Sequence, residues 1–130
     1  MESAQEKVDV FIRERVDSVP HLEALLLLFQ TRPKVWSATD LGNRLYLTGE
    51  AAQKLLTDLV ADRLIAQDDK GAGQYYYLSQ PGVEGMDELL AAVEKVYRRE
   101  TIRISTMIHA KASPALRDFA RAFKFRKGPS

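Results

Sequence analysis

Gln53, Lys54 and Thr57 fall within five positions of one another, in a segment with helical spacing of its apolar residues. On a helix, Gln53 and Thr57 stand one turn apart on the same face, with Lys54 beside them. That trio suits contact with base edges and phosphate oxygens. A glutamine amide can pair bidentately with adenine, and lysine or threonine can hold a phosphate or a base edge. Arg44 and Thr48 precede the trio and Lys70 follows it, extending the same chemistry along the chain. Gly49, Glu50 and Asp58 share the outward side. The two carboxylates would repel a phosphate backbone, although a carboxylate can accept from cytosine.

Other chemistries lack their residues. The absence of cysteine excludes disulfides, thiolate zinc sites and cysteine nucleophiles. His21 and His109, the two histidines, have no metal-motif spacing to carboxylates. His21 reads as an exposed first-turn residue and His109 as a polar residue near a helix end. No serine sits in a Gly-x-Ser-x-Gly elbow, and Gly71-Ala72-Gly73 opens no helix, so no phosphate cradle is expected. We therefore expect no catalytic residue, no metal ligand and no cofactor, and read the chain as a non-enzyme.

The elements that must position the trio lie in residues 37–78. Ser37, with Asp40 three residues on, marks a helix start, and Leu41 and Leu45 follow on one face. Thr48 and Glu50 mark a second start, followed by Ala52, Leu55, Leu56, Leu59 and Val60 at three- and four-residue spacing. Leu64-Ile65-Ala66 and Gln74-Tyr75-Tyr76-Tyr77-Leu78 flank a glycine-containing turn and predict a hairpin. Short helix, turn, second helix, hairpin is the order of a winged helix-turn-helix.

This stretch, about a third of the chain, resembles the winged helix of bacterial transcriptional regulators of the MarR-like families. Leu41, Leu45 and Leu47 match the second helix and turn of that pattern, and Leu55, Leu59, Leu64 and Ile65 match its run into the wing. Arg63 departs from it, standing where the family often has glycine, so a left-handed residue closing that helix is disfavoured. The resemblance implies a mainly α fold with a small β-hairpin wing, flanked by an N-terminal helix and long C-terminal helices. It also implies double-stranded DNA as partner, transcription regulation, and a dimer.

In chain order, Val8, Phe11, Ile12 and Val16 predict a helix from Ala4 to Asp17. A nearly all-apolar helix, roughly His21 to Thr31, follows and should be buried. Lys34-Val35-Trp36 can add a third strand, with Trp36 as core or hinge packing rather than a ligand platform. After Gln80-Pro81-Gly82, a helix is expected from Val83 towards His109. Met86, Leu90, Val93, Tyr97, Ile104 and Met107 form a four-three seam along it, expected to be a homodimer interface; the simpler alternative is cover for the chain's own core. Thr101 to Thr106 also alternates like a strand, which places a possible break near Arg99. Ser113-Pro114 opens a last helix, before a basic, aromatic ending from Phe123 to Ser130. The expected divisions are residues 1–19, an N-terminal helix; 20–80, the winged domain; and 81–130, a dimerisation and basic segment.

With 130 residues and 45% hydrophobic content, the chain can bury a core. Leu25 to Phe29 is too short to span a bilayer, and the acidic start lacks a signal-peptide pattern, so a cytoplasmic protein without membrane contact is expected. Net charge is −1 over residues 1–36, −2 over 37–79 and +4 over 80–130. The expected interface with DNA is thus poor in cations. That keeps open a non-enzymatic adaptor that binds another protein and not DNA. A small-molecule sensor using Tyr46, Tyr75, Tyr76, Tyr77 and Tyr97 is a third reading.

Overall fold

The longest apolar run of the chain becomes its central helix. A computed structural model describes residues 3–68, 73–77 and 85–112, and among these the fold is mainly helical. The elements are α1 (Ala4–Arg15), α2 (Val19–Gln30), β1 (Trp36–Ser37), α3 (Ala38–Leu45), α4 (Gly49–Ala61), β2 (Ala66–Gln67), β3 (Gln74–Tyr76), α5 (Met86–Arg99) and α6 (Thr101–Ala112). No helix among the described residues is long and apolar enough to cross a membrane. Lys70, and the helix and basic ending expected over residues 113–130, lie outside the described residues.

Ser18 starts α2: its Oγ accepts from the His21 N–H at 3.2 Å, and Pro20 occupies the first turn, where no amide donor is needed. The helix therefore begins at Val19, two residues earlier than periodicity alone suggests. Leu22 and every residue from Ala24 to Phe29 are buried. A helix apolar on nearly all sides must be enclosed, and α3, α4, α5 and α6 all pack against it. α1 ends at Arg15, because Val16 turns extended (φ −114°, ψ 117°), and it packs on α5 and α6 through Val8, Phe11 and Ile12.

The three strands form one antiparallel sheet in the order β1-β3-β2, with Trp36 opposite Tyr75 and Ala66 opposite Tyr76. Trp36 does supply the third strand and is buried, its Nε1–H donating to Thr31 Oγ1 at 2.9 Å. Tyr77 leaves the sheet to meet Phe29 edge-on, with ring centroids 5.1 Å apart. Its O–H donates to Asp87 at 2.6 Å, and burial pushes the phenol above its ordinary range.

The C-terminal half corrects two expectations. Glu100 (φ −128°, ψ 46°) divides the expected helix into α5 and α6, at the break that the sequence places near Arg99, but the strand-like stretch after it is helical. Leu90, Val93 and Ile104, expected at a dimer interface, are buried within one chain. Met86, Tyr97 and Met107 are partly buried against the same core. The four-three spacing called for a partner helix, and the chain supplies its own in α1. Arg103 locks this arrangement across the break. Its two terminal nitrogens donate to Asp9 at 3.1 and 3.2 Å, and its Nε donates to Glu100 at 2.8 Å. Leu90→Glu should therefore not release monomers. It places an unpaired carboxylate in the core, at a cost of about 3–5 kcal/mol, and should abolish or sharply lower the thermal unfolding transition followed by circular dichroism.

Candidate nucleic-acid interface

α3, the turn after it and α4 form one rigid unit. Asp40 N–H donates to Ser37 Oγ at 3.1 Å at the start of α3, as the Ser37–Asp40 spacing predicts. The helix closes with Tyr46 in the left-handed region (φ 60°), and Leu47 N–H reaches back to the Gly42 carbonyl at 2.8 Å. That closure needs Gly42: a Cβ there would stand 2.8 Å from the Leu47 carbonyl oxygen and 3.6 Å from the Ala52 Cβ. Glycine thus lets the turn and α4 fold closely onto α3. Thr48 then caps α4, its Oγ1 accepting from Ala51 N–H at 3.1 Å.

α4 buries Ala52, Leu55, Leu56 and Leu59 and leaves Glu50, Gln53, Lys54 and Thr57 exposed. Its far end is a Schellman closure: Leu64 N–H donates to the Leu59 carbonyl at 3.0 Å and Arg63 N–H to the Val60 carbonyl at 2.9 Å. Arg63 adopts the left-handed conformation (φ 62°) that its side chain disfavours. Burial of Leu64 against the core, together with Leu59, outweighs that cost. Arg15 closes the same end from α1, donating from its guanidinium to the Asp62 carbonyl at 2.8 Å. A cation suits that terminus of the helix dipole.

Asp58 does not face outward as expected. Its Oδ2 accepts from His21 Nε2 at 2.9 Å and from Lys54 Nζ at 3.5 Å. His21 in turn is not an exposed first-turn residue: it bridges α2 to α4, with its Nδ1 against Ser18 Oγ. Ser, His and Asp in that order are the parts of a nucleophile relay. Here the serine oxygen is also the helix cap that accepts the His21 amide, and the three residues act as a strut between helices. The hydrogen bond from His21 holds the Asp58 carboxyl below its ordinary value of 3.8; partial burial opposes this, and Lys54 adds to it.

Gln53 is tied as well. Its Nε2 donates to the Tyr75 hydroxyl at 2.8 Å and to Thr57 Oγ1 at 3.3 Å, joining α4 to the central strand. Gln53, Lys54 and Thr57 thus share the exposed face of α4, and Thr48, also exposed, caps its first turn. Arg44 is exposed near the end of α3 and borders a cavity of about 320 Å³ with Glu23 of α2 and Tyr97 and Arg98 of α5. The five tyrosines do not converge on one pocket. Tyr75 and Tyr77 are buried, Tyr46 is 94% exposed in the turn, and Tyr97 borders the α2–α5 cavity. Sequence reasoning missed Gly42, whose place inside an eight-residue helix is a signal of close approach. It also missed the His21–Asp58 strut, which has no local sequence signal.

Comparison with family models, with curated proteins and with solved structures finds no match to this chain.

Two stability outcomes follow. Gly42→Ala should lower the free energy of unfolding by about 1–3 kcal/mol, read from the urea midpoint, because a backbone carbonyl must move. Asp58 has a depressed folded-state pKa, so its contribution is present above the unfolded value and is lost as pH falls through the folded one. Asp58→Asn should lower the urea midpoint near neutral pH, and the gap from the parent should begin to narrow only as pH falls below about 4, closing once pH is below the folded-state value.

Proposed function

We propose that this chain is a winged helix-turn-helix protein that binds double-stranded DNA and regulates transcription, with α4 as the recognition helix and the β2–β3 hairpin as the wing. One observation carries the reading. α4 presents Glu50, Gln53, Lys54 and Thr57 as a continuous exposed strip, on a helix fixed at both ends and braced by α2. A helix that enters a major groove needs that rigidity and that polar outer face. Asp58 is compatible with the reading, since its carboxylate is engaged by His21 and Lys54 and is not a bare charge on the strip. Regulators of this architecture commonly work as pairs. Leu90, Val93 and Ile104 are not available for pairing, so a second copy would use a different surface.

A second reading has its own observation. Among the described residues of 37–77 the bases are Arg44, Lys54 and Arg63, against Asp40, Glu50, Asp58, Asp62 and Asp68. Phosphate neutralisation dominates affinity for DNA, and that balance favours a winged-helix adaptor that docks on another protein.

Fluorescence anisotropy on a generic labelled duplex, at roughly 50 and 200 mM salt, separates the two. Binding that weakens steeply with salt supports the DNA reading; absent binding at the lower salt supports the adaptor. For a DNA binder, Lys54→Ala should weaken binding on all sequences and reduce the salt slope by about one.

A further inference from the structure

The polar contacts of Gln53 restrict what it can read. A glutamine amide has two N–H donors and one carbonyl acceptor. Here Nε2 donates to both Tyr75 and Thr57, so both amide hydrogens are directed at protein oxygens. Gln53 is exposed, and among the described residues its Oε1 accepts no hydrogen bond, which leaves that atom for a ligand. Tyr75 is itself fixed: its ring is buried, and its strand is paired on both sides, opposite Trp36 and Gln67. The hydroxyl that holds Gln53 therefore comes from the most constrained strand of the sheet.

We propose that Gln53 reads DNA as a hydrogen-bond acceptor only, through Oε1, and that Tyr75 sets this specificity by holding the amide hydrogens. The proposal rests on the DNA-binding reading above and replaces the bidentate adenine contact expected from residue type. In the major groove, adenine N6 and cytosine N4 are donors, whereas guanine O6 and thymine O4 are acceptors. An acceptor-only glutamine takes adenine or cytosine and leaves adenine N7 unused. Tyr75 touches no base in this scheme; it is a positioning residue, and its effect appears in base preference.

The test begins with selection of the full chain on randomised duplexes, alongside Gln53→Ala, to locate the position whose preference that variant flattens. A selected duplex with adenine there is then compared with two analogues, purine, which lacks the N6 amine, and 7-deazaadenine, which lacks N7. For the parent protein, purine should weaken binding about tenfold, and 7-deazaadenine should change it by less than about twofold. Tyr75→Phe frees one amide hydrogen for N7, and 7-deazaadenine should then weaken binding several-fold relative to adenine. Gln53→Glu, a surface change that keeps an outward acceptor, should lower affinity overall and retain the parent's indifference to 7-deazaadenine. The proposal is overturned by equal losses with both analogues in the parent, by indifference to purine, or by no position responding to Gln53→Ala. In each case salt-dependent binding would leave the DNA reading standing. Absence of any duplex binding overturns both.

Discussion

A helix with almost no polar face cannot remain at a surface, and the enclosure of α2 governs the rest of this structure. Leu22 and the run from Ala24 to Phe29 need apolar cover on most of their circumference. No single neighbour can provide it. α3 and α4 cover it from one part of the chain, α5 and α6 from another, and one continuous set of buried side chains extends from Val8 to Ile108. The α3–α4 pair is therefore built into the core of the chain rather than appended to it.

Because α4 packs on α2, its outer face inherits a fixed orientation. The contacts that fix it are polar and sit at its margins: Arg15 on the last carbonyl, His21 on Asp58, Tyr75 on Gln53 and Thr48 on the first amides. Exposed ion pairs such as Lys54–Asp58 contribute little to stability, so buried leucines hold the helix while these polar contacts set its side chains. The exposed face that results, with Glu50 and Lys54 as its charged residues, is poor in net charge. Its discriminating power, on the reading proposed, lies in hydrogen-bond direction.

What was legible in the sequence was mostly local. Ser37 and Thr48 announce helix starts through short-range hydrogen bonds to nearby amides, and the structure has those bonds. Trp36 as a buried third strand followed from β propensity and a nearby hairpin. The seam from Met86 to Met107 showed that a helix needed a partner, but periodicity does not say whose. α1, more than 70 residues earlier, answers that. His21 and Asp58 are 37 residues apart, and nothing local in either predicts the pair. Arg63 fails as a local expectation for a related reason: its left-handed backbone is set by the burial of Leu64, a tertiary demand that overrides the preference of one residue.

The Asp9–Arg103 pair joins residues 94 positions apart. During synthesis α1 leaves the ribosome well before α5 and α6, the helices that cover the apolar face formed by Val8, Phe11, Ile12 and Val16. At about 5–20 residues per second, that delay lasts several seconds. The acids and bases along its other face, Glu6, Lys7, Glu14 and Arg13, keep the nascent helix hydrated meanwhile. α1 is thus made long before the helices that cover it, and its solubility in that interval depends on the charged half of one short helix.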